Sequence, residues 1–174
     1  IIALGVEKVA IGSAAVANPS LLQEAACRVG SQSIVAILNT RRSGVLRRHE
    51  LFTHRGKRGT GFYPVEFARL AEEAGAGEVL LNSIDRDGQM NGYDLDLASQ
   101  VKEAIGLPLS VLGGAGSLED VAALLRQVGL VGAAAGSLFV FKGKYRAVLI
   151  NYPSAHEKEV IAQAMSGREP KDVL

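Results

Sequence analysis

Cysteine is almost absent from this chain. Cys27 stands alone, which excludes an internal disulfide framework and fits a reducing, cytoplasmic setting. It falls inside a helical pattern and is expected to pack in the core rather than react. Net charge is scarce too: nineteen Lys and Arg against eighteen Asp and Glu leave +1, too little for nucleic acid to be the main partner. No apolar run approaches the roughly 20 residues of a membrane span, so no membrane role is expected. Nothing points to a metal or a cofactor. What remains is 48 % apolar with only 21 % charged residues, the balance of one globular domain, and 174 residues suffice for a sizeable core.

One stretch organises the rest. Residues 78–82 (EVLLN) read as a short strand, bounded before it by Gly75 and Gly77. The loop after it carries Asp85, Arg86, Asp87, Gly88, Gly92 and Asp94. Glycines let backbone approach a ligand, and carboxylates supply acid, base or hydroxyl contacts. The plainer reading is a solvated turn in which Asp85 and Arg86 cap the next helix.

Around that stretch, strands and helices alternate. Strands are predicted at residues 8–12, 33–38, 78–82, 109–112 and 132–135. Asn18 as cap and Pro19 at the first helical position open a helix that Gly30 closes. Residues 62–74 and 95–105 are helical by periodicity, and Ser117 caps a third helix with Glu119 and Asp120 in its first turn. Residues 41–61 break the rhythm with seven Arg and Lys, as a solvated loop with a small hairpin or as an anion-attracting rim.

Five strands at spacings of about 25 to 45 residues, each joined through a helix, predict an all-parallel α/β layout. An open doubly wound sheet and a (β/α)8 barrel both satisfy it. A complete barrel needs about 250 residues, so five units match strands 4 to 8 of a TIM barrel whose first three units lie upstream. An internal echo favours the barrel. GVEKVAIGS from Gly5 to Ser13 and GLVGAAAGS from Gly129 to Ser137 share a layout, 124 residues apart, half a barrel on. We expect residues 1–150 to form this part-barrel and 151–174 a C-terminal extension. Its unpaired edges predict self-association of the chain.

Gly12-Ser13, Gly113-Gly114 and Gly136-Ser137 follow directly on strands. Free backbone N–H groups beside a hydroxyl and a helix start make phosphate cups, and in barrels the last two loops often serve this way. Cups on both sides of one mouth suit a substrate phosphorylated at both ends. Lys8 and Glu78 open two apolar strands at the opposite face. They either snorkel outward to water or pair across the barrel floor.

These residues resemble a known family. KVAIGSAAVANP from Lys8, GAGEVLLNSIDRDG from Gly75, GYD from Gly92 and GGAG from Gly113 are similar to the cyclase subunit of imidazole glycerol phosphate synthase. The resemblance runs from Ile1 to about Phe141. It implies a (β/α)8 barrel that binds a bis-phosphorylated ribonucleotide, receives ammonia from a glutaminase subunit through its floor, and forms an imidazole. It further implies that Asp87 and Gly88 contact ligand at the mouth, that the Gly12, Gly113 and Gly136 loops are the cups, and that Lys8 and Glu78 gate the ammonia. Asn39 stands where the family has a catalytic aspartate, Gly12-Ser13 where it has Asn-Thr, and Asn82 where threonine is usual. Asn39 cannot exchange a proton as a carboxyl does. From Val140 to Pro153 the chain is instead similar to a paralogous group paired with an amidotransferase in surface-polysaccharide synthesis, which helps convert an acetamido sugar to an acetamidino sugar. A silent barrel fragment acting as a scaffold is the alternative of another class.

Overall fold

The computed structural model describes residues 1–143 and 147–165. Five strands run parallel, β1 (Val9–Ile11), β2 (Ile34–Ser43), β5 (Glu78–Ser83), β6 (Leu109–Leu112) and β7 (Gly132–Ala133). They lie side by side in chain order with no reversal. A doubly wound sheet reverses its strand order at a switch point, so this is an α/β fold with a parallel-rich sheet of the TIM-barrel type. Between β2 and β5 two antiparallel strands intervene, β3 (Arg48–Thr53) and β4 (Arg58–Gly59).

The helices are α1 (Ser13–Ala17), α2 (Ser20–Val29), α3 (Pro64–Glu73), α4 (Leu95–Ala104), α5 (Leu118–Val128), the short α6 (Ser137–Val140) and α7 (Ala155–Met165). The outward set of strand residues, among them Ala36, Leu38, Val79, Leu81, Leu109 and Val111, packs with Leu22, Phe67, Leu97, Val101 and Leu124 of the helices in one core. Strand side chains alternate between faces, so Glu78, Leu80 and Asn82 of β5 point to the other face and are only half-buried. Ser117 and Asp120 form a complete capping box on α5, as the sequence predicts.

Several expectations shift. The second strand does not stop at Leu38 but runs on to Ser43, because residues 40–43 pair with β3, opposite β5. The basic stretch is therefore a sheet extension in which the expected small hairpin forms, β3 pairing with the end of β2 and with β4, while most of its basic residues stay exposed. The first strand begins at Val9, leaving Lys8 just ahead of it. Helix α1 was not anticipated, and α2 starts at Ser20 rather than Pro19; Asn18 accepts from Ser20 Oγ (2.8 Å) instead of capping the helix. Cys27 is exposed, on the face of α2 turned away from the core. Beyond α6 a two-stranded hairpin, β8 (Phe141–Lys142) with β9 (Ala147–Val148), precedes α7, which packs on α5. Residues 144–146 of the paralogue-like stretch, and 166–174 of the C-terminal extension, lie outside the described residues. No described helix is long and apolar enough to cross a membrane.

Candidate functional site

The ends of the parallel strands face a common mouth, and their sequence sets a polar row across it. Asn39 and Asn82 are register partners on β2 and β5, and Asn82 Nδ2 donates to Asn39 Oδ1 at 2.8 Å. Gly12 ends β1 beside Asn39: a Cβ there would lie 3.6 Å from Asn39 Nδ2. Gly113 ends β6 beside Asn82, where a Cβ would lie 3.3 Å from Asn82 Oδ1. That oxygen is buried without a hydrogen-bond partner.

Next to this row, Asp87, Gly88, Gly113, Gly114, Gly136 and Ser137 line one cleft, so the structure brings together the two late glycine loops and the Asp87-Gly88 turn. The backbone N–H groups of Gly114, Ala115, Gly136 and Ser137 donate to no other described residue. Such amides at a glycine-rich turn suit an anion. The glycines differ in why they are glycine. Gly114 sits at φ +111, and a Cβ on it would run into the Gly92 carbonyl. Gly92 N–H in turn donates to Gly114 O at 2.8 Å. Loop-to-loop packing alone therefore demands glycine at 114. At Gly136 a Cβ would meet nothing within 4 Å.

On the other side of the mouth Ser13 starts α1, and its Oγ accepts from His54 N–H at 3.3 Å. The turn carrying His54, Arg55 and Lys57 thus rests on the Gly12-Ser13 loop through a backbone N–H. His54 and Arg55 hold φ of 52 and 59°, the left-handed region that lets the chain fold back so sharply.

The carboxylates of the organising loop divide sharply in role. Asp85 is taken up by the hairpin: its Oδ1 accepts from Arg41 Nε and its Oδ2 from Arg42 N–H, both at 3.0 Å. Asp94 is buried, caps α4 by accepting from Leu97 N–H (3.4 Å), and faces Arg42 and His49 at 3.6 Å and Arg86 at 3.8 Å. The plainer reading, in which loop charges cap the next helix, holds for Asp94 rather than for Asp85 and Arg86. Burial pushes the His49 imidazole down; Asp94 pulls it up, but Arg42 and Arg86 push it down again, and the net shift is downward. His49 is therefore neutral at pH 7. Asp87 alone of the three opens on the glycine cleft.

Sequence reasoning used Tyr93 only as part of the GYD motif and gave it no role. Its hydroxyl donates to Ala134 O at 2.9 Å and ties the organising loop to β7. Burial, with Asp120 nearby, pushes its pKa up to about 12, so it donates at any ordinary pH.

At the opposite ends of the strands Lys8 Nζ lies 2.6 Å from Glu78 Oε2. The structure thus joins the two predicted charges to each other. It adds Ser110, whose Oγ donates to Glu78 Oε1 at 2.7 Å. Strand parity would have found it, since Ser110 shares a face with Glu78. Burial raises the Glu78 pKa, but the hydrogen bonds from Lys8 and Ser110, with the Lys8 charge, outweigh it and hold the carboxyl below its ordinary range. Five residues of β5, at about 3.3 Å each, put this pair some 17 Å from the mouth. Among the described residues no cluster of His, Cys, Asp and Glu could hold a metal ion.

Comparison with known proteins gives the same direction. Residues 1–146 match the family described as histidine biosynthesis protein. The chain is 46 % identical over 161 residues to a Leptospira interrogans protein provisionally named imidazole glycerol phosphate synthase subunit HisF, covering 92 % of this chain and 63 % of that protein. It is 50 % identical over 159 residues to the provisionally named subunit hisF3 of Vibrio vulnificus strain YJ016, covering 91 % and 61 %. To the imidazole glycerol phosphate synthase subunit HisF of Hyphomonas neptunium it is 45 % identical over 137 residues, covering 79 % and 54 %. The chain spans about six-tenths of the length of the first of these curated relatives.

Proposed function

The chain belongs to the histidine biosynthesis protein family, within its HisF-like branch, and from that premise we propose that it is the ammonia-accepting synthase part of a glutamine amidotransferase pair. The observation that carries this reading is the separation of two polar sites along one parallel sheet. An anion-ready cleft lies at the strand ends, with Asp87, Gly88, Gly113, Gly114, Gly136 and Ser137, and a charged pair, Lys8 with Glu78, lies at the strand starts. A phosphorylated substrate binds in the first, with Gly12-Ser13 as the second cup. Ammonia from a glutaminase subunit enters past the second. Asp87 is the carboxylate free for proton transfer.

In this reading β1, β2, β5, β6 and β7 are strands 4 to 8 of a (β/α)8 barrel, residues 1–150 form its part of the wall, and 151–174 are an extension. The acceptor we favour is an acetamido sugar of surface-polysaccharide synthesis, because residues 140–153 are similar to the paralogous group of that pathway. Imidazole formation in histidine synthesis is the alternative within the same class. Asn39, which cannot exchange a proton as a carboxyl does, favours a second reading, a scaffold half without chemistry of its own.

The test combines the chain with a glutaminase subunit and offers each acceptor with glutamine or with ammonium. Turnover of the nucleotide-linked acetamido sugar supports the paralogue, and turnover of the bis-phosphorylated ribonucleotide supports histidine synthesis. Lys8→Ala is expected to lower glutamine-driven turnover while sparing the ammonium-driven reaction. Equal loss of both would remove the gate, and no turnover of either acceptor would leave the scaffold reading.

A further inference from the structure

Gly92, Tyr93 and Asp94 follow one another in the loop after β5, and each holds a different part of the mouth. Gly92 N–H donates to Gly114 O at 2.8 Å, on the loop after β6. The Tyr93 hydroxyl donates to Ala134 O at 2.9 Å, at the end of β7. Asp94 turns instead to α4 and to the hairpin. In the sheet β6 lies between β5 and β7, so the Tyr93 bond spans a whole strand. The two loops reached by Gly92 and Tyr93 are the ones that line the glycine cleft, with Gly114 and Ala115 on one and Gly136 and Ser137 on the other. They are not equally secured. Gly114 packs so closely on the organising loop that a Cβ there would lie 2.1 Å from Gly92 O. By contrast β7 is two residues long, and its bonds to β6 end where Ala134 N–H donates to Val111 O at 2.9 Å. Gly136 and Ser137 lie beyond that point. Helix α6 is bonded within itself, Phe139 and Val140 N–H donating to Gly136 O, and to Leu149 and Asn151 after it. The Tyr93 bond reaches the start of this loop from the far side of β6.

We infer that Tyr93 is the positioning residue of the cleft: by holding Ala134 O it fixes the Gly136-Ser137 amides against the Gly114-Ala115 amides, so that both pairs reach one phosphate. An anion shared by two loops needs N–H groups from both within about 2.7 to 3.2 Å of its oxygens. A loop placed about 1 Å too loosely forfeits its share of those bonds. Gly92 and Tyr93 are consecutive, so the two loops are measured off from one peptide unit and one ring. A tyrosine side chain has only two rotatable bonds, and at 3 % exposure this one has little room to use them. Phenylalanine would fill the same space. It would leave Ala134 O without this donor, and the Gly136 loop free to shift against its neighbour. The Gly12-Ser13 cup, across the mouth, takes none of these bonds.

This inference rests on the reading of the glycine cleft as a phosphate site, so the experiment establishes binding first. The isotope-labelled chain is titrated with inorganic phosphate at constant ionic strength, and the amide resonances of the two loops are followed. In the wild type those of Gly114, Ala115, Gly136 and Ser137 are expected to move together, with one affinity. Tyr93→Phe is expected to weaken that affinity about five- to tenfold. It should also split the response, the Gly136 and Ser137 shifts shrinking while those of Gly114 and Ala115 persist. A uniform weakening, with all four shifts scaled alike, would mark a packing defect and overturn the inference. By linkage, bound phosphate must strengthen the Tyr93–Ala134 bond by the factor that the bond strengthens phosphate binding. Exchange of the Tyr93 hydroxyl proton, read from the deuterium isotope shift at its Cζ in the wild type, should therefore slow about five- to tenfold at saturating phosphate. That measurement decides even if Tyr93→Phe fails to fold. Hydroxyl exchange untouched by phosphate would overturn the inference. If no cleft amide moves in the wild type, the phosphate reading falls and takes this inference with it. If all four move and Tyr93→Phe binds as the wild type does, only this inference falls.

Discussion

The two ends of the parallel sheet use charge in opposite ways. At the mouth, Asp85 and Asp94 hold one loop to the next: Arg41 and Arg42 come from the end of β2, His49 from β3, and Arg86 from the same loop as the carboxylates. At the floor, Glu78 holds two single side chains, one on each oxygen, and joins no loops. Asp94 is buried among several partners, whereas Asp85 joins its loop to the end of β2 at the surface, through one guanidinium and one backbone N–H. The floor carboxylate has a partly solvated lysine beside it, 54 % exposed, and an exposed ion pair contributes only about 0 to 1 kcal/mol. Carboxylates crowded in one loop are thus not equally available for chemistry.

The sharpest way to break this contrast is at the mouth, between two glycines of one cleft. Gly114→Val must move the Gly92 carbonyl and adopt φ +111, so we expect a loss of more than about 3 kcal/mol in urea unfolding, or no folding. Gly136→Val meets no neighbour within 4 Å and should keep stability within about 1 kcal/mol while obstructing phosphate. The first variant therefore reports on the fold and only the second on the cleft. Unchanged phosphate-ester affinity in a folded Gly136→Val protein would remove the cup assignment.

Asp94→Ala should come next. It deletes a helix cap and leaves Arg42 and Arg86 near each other without their counter-charge, at a cost of about 2 to 4 kcal/mol. Asp87→Asn should cost less than about 0.5 kcal/mol of stability. In a turnover assay with ammonium it should cost about 10²-fold or more if Asp87 exchanges a proton. Similar stability losses in the two variants would erase the distinction between joining and free carboxylates.

A smaller effect than that of Asp94→Ala belongs to the floor. The Glu78 carboxyl has a lowered pKa in the folded chain, so the unfolded chain binds more protons as pH falls below about 4.5. Its contribution is present above that value and is lost as pH drops through the folded-state pKa. Ser110→Ala removes one of the hydrogen bonds that lower it. We expect about 1 kcal/mol less stability at pH 7 and a correspondingly smaller acid-induced loss between pH 5 and 3, by urea unfolding at each pH. An identical acid profile would mean that Ser110 does not set the Glu78 carboxyl.

Much of this architecture is written locally. Apolar runs separated by amphipathic stretches mark the five strands and their helices, because each strand must bury one face under the helix that follows it. Ser117 with Asp120 three residues on is a cap that needs no tertiary context. Lys8 and Glu78 are legible as charges at two strand starts, and the register of β1, β2 and β5 is what brings them to one face, where they meet.

What the sequence could not decide is which polar groups are spent on one another. That Asp85 belongs to Arg41, that Asp94 gathers Arg42 and His49 as well as Arg86 of its own loop, and that Tyr93 reaches Ala134 depends on segments distant in the chain bringing their ends together. The extension of β2 to Ser43 likewise follows from its pairing with β3, which no propensity within the basic stretch specifies. Composition and spacing set the sheet and its helices, because hydrophobic periodicity is local. The polarity of the mouth was set only in three dimensions, where Asn39 and Asn82, 43 positions apart, become register partners and bond to each other.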